Sequence, residues 1–217
     1  MKKDFFNHMK GFYAIIDTTY VSPGDIGEVT GEILSGGARV LQLRAKGSGS
    51  GEMLKMARVI RRLTGDKDAF FIVNDRVDIA MIAGADGVHL GLDDIPVEEA
   101  RRLLGPGAVI GLSTHNLAEA IEAASTTADY ISFGPVFTTR TKKDAGPVTG
   151  LAALKRVTGS VQKPVVAIGG ISEETFDRVL ETGATAAAVI SHILGGGDIR
   201  KKVSSIIAGS RKKLSRH

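Results

Sequence analysis

Cysteine is absent from the 217 residues. That absence excludes disulfides, thiolate nucleophiles and cysteine-ligated metals. Tryptophan is absent too, and aromatic residues make up only 5% of the chain. A core built from this sequence must therefore rest on Val, Ile, Leu and Ala, within a hydrophobic share of 43%. No apolar run is long enough to span a membrane, and the lysine-bearing first ten residues lack the apolar centre of a signal peptide. A cytoplasmic location is the expectation. Charge is nearly balanced at +4. Arg211, Lys212, Lys213 and Arg216 crowd the last seven residues, and residues 209–217 read as a solvated, frayed basic tail. No aromatics interleave with those charges, which argues against a nucleic-acid surface. No Gly-x-Gly-x-x-Gly turn follows the first apolar run, so a dinucleotide fold lacks its signature.

What is present is regular alternation. Apolar runs fall at 12–16, 39–43, 70–73, 87–90, 109–112, 130–133, 165–168 and 187–190. Most are continuous rather than alternating, as expected for parallel strands covered on both faces. Segments of helical periodicity separate them. Met53, Leu54, Ala57 and Ile60 form one stripe, and Ala118, Ile121 and Ser125 another. Ser172 caps a third helix that opens with Glu173 and Glu174, acids that suit the helix dipole. Eight such alternations predict an α/β (β/α)₈ TIM barrel, a single domain over 1–217, with an open doubly wound sheet as the alternative. The site of such a barrel lies at the C-terminal ends of its strands, so the polar residues there carry the functional reading.

Along the second run, Gln42, Arg44 and Lys46 share one face and Leu41 and Leu43 the other. The leucines suit the surrounding helices, which turns the cations inward. Buried cations need partners, either an internal acid such as Asp75 or a phosphorylated ligand. The third and fourth runs end near Asn74, Asp75 and Asp94. Neighbouring parallel strands lie about 4.8 Å apart, so Asp75 and Asp94 can face one another across a gap that fits a divalent cation; the alternative is that Asp94 caps the helix near Pro96. Octahedral Mg²⁺ takes one or two carboxylates and fills its shell with phosphate and water. Ser113 is a candidate ligand donor, His115 a surface or capping residue, and His89 a satisfied core residue. The long loop from Gly134 to Val148 carries hydroxyls and cations suited to phosphate. Gly169, Gly170, Ile190 and Ser191 after the last two strands suit a backbone phosphate cradle. Two anion sites and no nucleophilic triad point to ionisation of a diphosphate leaving group.

Six segments carry a resemblance in order: Gln42-Leu43-Arg44-Ala45-Lys46, Asn74-Asp75-Arg76, Ala85-Asp86-Gly87-Val88-His89-Leu90-Gly91, Gly111-Leu112-Ser113-Thr114-His115, Gly134-Pro135-Val136-Phe137 with Thr139-Arg140-Thr141-Lys142, and Ala167-Ile168-Gly169-Gly170-Ile171. The chain resembles the thiamine-phosphate synthase family from about residue 12 to 207. The resemblance implies coupling of 4-amino-5-hydroxymethyl-2-methylpyrimidine diphosphate with 4-methyl-5-(2-phosphooxyethyl)thiazole, giving thiamine monophosphate and pyrophosphate. It implies Mg²⁺ on Asp75 and Asp94. It places the pyrimidine diphosphate on Gln42, Leu43, Arg44, Ala45, Lys46, Asn74, Ser113 and Lys142. It places the thiazole phosphate on Thr139, Arg140, Thr141, Gly170, Ile190 and Ser191. Arg44, Lys46, Lys142 and Ser113 are expected to carry the catalysis. The partners implied are these two small phosphorylated substrates, with no nucleic acid and no membrane. The family usually has Gln-Glu-Asp where this chain has Leu92-Asp93-Asp94, and proline is common where Thr138 stands. A thiazole tautomerase-like isomerase and a non-catalytic barrel that binds thiamine phosphates are the alternatives.

Overall fold

A strand covered on both faces needs apolar residues at consecutive positions, because its side chains alternate in direction. Eight stretches meet that need: β1 (Gly11–Asp17), β2 (Val40–Arg44), β3 (Phe70–Asn74), β4 (Gly87–Leu90), β5 (Val109–Thr114), β6 (Tyr130–Phe133), β7 (Val165–Ala167) and β8 (Ala186–Val189). The computed structural model describes residues 2–139, 141 and 146–214. The strands pair in parallel, each with the next, and β1 closes the ring on β8 with Gly11 beside Ala186 and Ala14 beside Val189. The expected TIM barrel is therefore the fold, and the strands match the apolar runs to within about two residues at each end.

Among the described residues ten helices are present: α1 (Lys2–Met9), α2 (Ile26–Ser35), α3 (Ser50–Gly65), α4 (Val77–Ala83), α5 (Val97–Leu104), α6 (Leu117–Ser125), α7 (Gly150–Ser160), α8 (Glu173–Leu180), α9 (Ser191–Leu194) and α10 (Ile199–Leu214). None is long and apolar enough to cross a membrane. On α3 the expected stripe is buried at Met53, Ala57 and Ile60. On α6 the expected stripe is wrong. Ala120 and Ala123 are buried, whereas Ile121 is 53% exposed. Alanines fit closely against the sheet, and in so alanine-rich a helix the lone isoleucine does not fix the phase. Ser172 stands at the N-cap of α8, where its N–H donates to Thr175 Oγ1 at 3.0 Å. Of the basic tail expected over 209–217, residues 209–214 form the end of α10, and 215–217 lie outside the described residues.

Period-two alternation sorts the apolar side chains into two cores. Phe12, Ala14 and Ile16 of β1 face the helices with Leu41, Leu43, Phe71 and Val73. Tyr13 and Ile15 face the barrel interior with Val40, Ile72, Val109, Tyr130 and Val166. The N-terminal mouth of the barrel is closed by α1, whose Phe5 and Met9 are fully buried in the inner core. The Phe5 ring lies edge-on to Phe70 at 5.4 Å and 5.9 Å from Tyr130.

The same face carries a repeated tie. Asp86, ahead of β4, accepts from Arg61 Nη1 at 2.6 Å and from the Phe71 N–H at 2.8 Å. Asp129, ahead of β6, accepts from Arg101 Nη2 at 2.5 Å and from the Ile110 N–H at 2.9 Å. Each carboxylate joins the preceding strand to the helix that leads into that strand, β3 to α3 and β5 to α5.

Removing a buried phenyl ring costs about 3–5 kcal/mol through lost transfer energy and the cavity left behind. Phe5→Ala is therefore expected to lower the unfolding free energy in urea by about 3 kcal/mol. A loss below about 0.5 kcal/mol, the usual range for surface changes, would mean that α1 contributes no core.

Candidate active site

The C-terminal ends of the strands open into a cavity of about 350 Å³. Gln42, Arg44, Lys46, Asn74, Asp75, Asp94, Ser113, Thr139, Thr141, Gly170, Ile190 and Ser191 all line it, as expected from sequence. Arg140 and Lys142 lie outside the described residues. Leu43 and Ala45 sit in the outer core and turn their side chains to the helices, so any contact they make with a ligand is through backbone.

Arg44 does not pair with Asp75, the internal partner weighed from sequence. Its Nη1 donates to Asp17 Oδ2 at 2.6 Å. Asp17 ends β1, is 1% exposed, and also accepts from the Thr19 N–H at 2.8 Å. One edge of the guanidinium is thus anchored, and Arg44 still lines the cavity. Sequence reading gave Asp17, just past the first apolar run, no role. The signal was available, since β1 and β2 run side by side with Asp17 in register with Arg44.

Asp75 follows β3 in the left-handed region at φ 64°, which is unfavourable for a residue with a Cβ. Its N–H donates to the His89 carbonyl at 2.8 Å, and its Oδ2 lies 3.8 Å from Lys46 Nζ. Partial burial pushes its carboxyl up to about 6, helped by the hydrogen bond and charge of Asp94 beside it, while Lys46 and Arg44 pull the other way. Asp94 does not cap the next helix. Its Oδ2 accepts from the Gly91 N–H at 2.7 Å, and Pro96 occupies the N-cap of α5.

Two neighbouring carboxylates, partly buried at the rim of a cationic cavity, fit a hard divalent cation. Among the described residues no cluster of three or more His or acidic ligands exists. The donor set therefore suits a cation that completes its shell with phosphate and water, the habit of Mg²⁺.

Below the acids the cavity floor is a buried hydrogen-bond chain. Gln42 Nε2 donates to Asn74 Oδ1 at 2.6 Å, and Tyr13 Oη donates to Gln42 Oε1 at 2.9 Å. Tyr13 Oη lies 3.0 Å from Tyr130 Oη, which lies 2.9 Å from His89 Nδ1. His89 Nε2 reaches Ser113 Oγ at 3.0 Å and Ser132 Oγ at 3.2 Å. Burial pushes His89 down to about 4 and both phenols upward, so every member is neutral near pH 7. His89 is the satisfied buried residue expected from sequence, but it belongs to this floor. Gly111 makes the arrangement possible. It stands in register between His89 and Tyr130, and a Cβ there would lie 2.2 Å from Tyr130 Cζ and 2.4 Å from His89 Nδ1. Tyr13, Tyr130 and Ser132 were missed because a strand tyrosine reads as ordinary apolar filling until its partner across the barrel is known.

The opposite wall comes from β6 to β8. Gly170 has φ 63°, and a Cβ there would meet the Thr138 carbonyl at 2.3 Å. The loop after β6 therefore packs directly over the turn after β7. Thr141 of that loop shares a 3.1 Å hydrogen bond with Tyr20 from the loop after β1. His115 stands exposed at the rim, with Nδ1 3.0 Å from the Gly134 carbonyl. Leu92, half exposed, also lines the mouth.

This geometry can be set beside known proteins. The thiamine monophosphate synthase family model matches residues 12–193. A thiamine-phosphate synthase of Methanoculleus marisnigri is 49% identical over 172 residues, 79% of this chain and 82% of that protein. One from Pyrococcus furiosus is 45% identical over 175 residues, 81% and 84% of the two chains. The solved structure of a thiamine phosphate pyrophosphorylase from Pyrococcus furiosus has a TM-score of 0.86 at 38% identity and covers 96% of this chain and 98% of that one. A solved 3-hexulose-6-phosphate synthase, with a TM-score of 0.67 at 18% identity over 92% and 99% of the two chains, shares the fold alone. Matched over most of its length in sequence and in structure, the chain belongs to the thiamine monophosphate synthase family.

Proposed function

We propose that the cavity holds a pyrimidine diphosphate and a thiazole phosphate together and joins them by dissociative substitution. The observation that carries this reading is the division of one cavity into two anion-suited walls. Arg44, Lys46 and the acid pair form one, and Thr139, Thr141, Gly170 and Ser191 form the other. The bond between the pyrimidine methylene carbon and the diphosphate oxygen breaks first, and its electron pair leaves with pyrophosphate. The thiazole nitrogen then donates its lone pair to the methylene cation, giving thiamine monophosphate.

Arg44, anchored by Asp17, presents its free N–H donors to the diphosphate without losing orientation, and Lys46 adds a mobile positive charge. Charge placed in advance where negative charge develops lowers the barrier without reorganisation at the moment of reaction. Asp75 and Asp94 would hold a magnesium ion, whose positive charge would further stabilise the departing group. Ser113 and the neutral floor receive the pyrimidine ring. Thr139, Thr141, the Gly170 backbone, Ile190 and Ser191 receive the thiazole phosphate. Arg140 and Lys142 belong to the same loop in sequence, and the reading gives them to the thiazole phosphate and the departing diphosphate respectively.

The direct test mixes the protein with both substrates and Mg²⁺ and follows thiamine monophosphate and pyrophosphate. Product is expected, and EDTA should abolish it. With both substrates bound, absence of product would overturn the synthase reading, and product undiminished by EDTA would overturn the metal assignment. Asp75→Asn isolates the charge, because asparagine tolerates the left-handed backbone that Asp75 adopts. It should lower kcat by about two orders of magnitude, the scale seen when one preorganised electrostatic contact is lost, and it should leave the unfolding midpoint unchanged or raised. Ser191→Ala should raise the KM for the thiazole phosphate by roughly tenfold, one charge-assisted hydrogen bond, with kcat little altered. An unchanged KM would move that phosphate away from β8.

A further inference from the structure

The buried floor chain admits two proton orders. Each phenol has one proton and neutral imidazole has one N–H, so fixing one member fixes all of them. In the first order Tyr13 donates to Gln42 Oε1 at 2.9 Å. Tyr13 must then accept from Tyr130 at 3.0 Å, and Tyr130 must accept from His89 Nδ1–H at 2.9 Å. His89 Nε2 is left bare and accepts from Ser113, the nearer of two serines at 3.0 Å. With its proton committed, Ser113 meets the cavity with lone pairs. In the second order the Gln42 and Asn74 amides turn over and every donor becomes an acceptor. His89 then carries its proton on Nε2, and the Ser113 hydroxyl proton is free to point into the cavity.

The two ends of the chain decide between these orders. Asn74 lines the wall that also holds Arg44 and Lys46. In the first order its oxygen is taken by Gln42 Nε2 at 2.6 Å, which leaves its amide N–H groups for an anion. In the second order its oxygen would face that anion. Resting on the function proposed above, the other end has an equally clear preference. As the carbon–oxygen bond of an aminopyrimidine diphosphate ionises, positive charge spreads into the ring and its exocyclic amine. A lone pair on Ser113 stabilises that charge, and a hydroxyl proton opposes it. Both ends favour the first order.

We infer that Tyr13, Tyr130 and His89 are positioning residues that lock the neutral imidazole as its Nδ1–H tautomer and thereby fix Ser113 as a hydrogen-bond acceptor towards the pyrimidine. The chain links the diphosphate end of the cavity to the cation end through Gln42, with no titration and no moving segment. Hydrogen bonds in such a buried chain reinforce one another, which holds the order against thermal reversal.

The tautomer can be measured by nitrogen-15 NMR on the histidine-labelled protein without turnover, with the His89 signals assigned by their loss in His89→Gln. A proton on Nδ1 and a bare Nε2 are expected, both in the free protein and with the pyrimidine diphosphate bound. A proton on Nε2 in the wild type would overturn the inference, whatever the outcome of the product assay. Tyr130→Phe removes the acceptor for Nδ1–H. It should switch His89 to the Nε2–H tautomer and lower kcat by about tenfold, the scale of one hydrogen bond, with the KM for the thiazole phosphate unchanged. A switched tautomer with unaltered kcat would overturn the link to the reaction. Tyr13→Phe frees the Tyr130 proton to donate to His89 and serves as the second variant if Tyr130→Phe does not fold.

Discussion

The contact of Tyr13 with Tyr130, two buried hydroxyls 3.0 Å apart across the barrel interior, divides the molecule. Below it the interior is apolar, filled by Val40, Phe70, Val109 and Ala186 and closed by Phe5 and Met9 of α1. Above it every position that reaches the axis serves the cavity. A buried phenol without a partner loses its hydration with nothing in return, so the two rings can occupy the middle only if the chain above them is complete. That requirement draws Gln42, Asn74, His89 and the two serines into one layer. It also leaves Gly111 without a side chain, because His89 and Tyr130 meet in front of it. Packing and chemistry are the same problem at this level of the barrel.

Above the neutral floor lies a ring of charge with a different logic. Asp17 and Arg44 are locked together in a buried pair, whereas Lys46 is loosely placed near Asp75 and largely exposed. A buried pair is weak evidence for stability, because desolvation offsets much of its attraction. Its clearer consequence is orientation. A guanidinium held on one edge by a carboxylate still has donors to offer on the other. The chain thus supplies one rigid cation and one adaptable cation to the same wall.

Much of this was legible in the sequence, for a stated reason. The strands are continuous apolar runs, and period-two alternation alone decided that Gln42, Arg44 and Lys46 face inward while Leu41 and Leu43 face the helices, as they do. The carboxylates at the ends of β3 and β4 were placed by the spacing of parallel strands. What escaped depends on contacts between residues far apart in the chain. Asp17 took Arg44 from the neighbouring strand, and Tyr13 found Tyr130 at a separation of 117 residues. Residues 2–9, weighed only as part of a possible targeting segment, form the helix that plugs the barrel. On α6 the apolar stripe was assigned to the wrong face, since small residues surround Ile121. Local pattern settles which face a residue occupies, but not which partner it meets there.

Asp75 shows where the demands of stability and of function part. Its backbone sits in a region that costs a residue with a Cβ about 1–2 kcal/mol, and its carboxyl is partly desolvated beside a second acid. Glycine would remove the first cost, and asparagine, which accepts the same left-handed backbone but carries no charge, would remove the second. Neither would leave two anionic oxygens facing Asp94. Within the free protein Lys46 and Arg44 relieve the repulsion only in part. A divalent cation held by the two carboxylates would offset that repulsion. Asp75 carries a desolvation cost in the isolated fold, and its side chain is best explained by what the cavity receives.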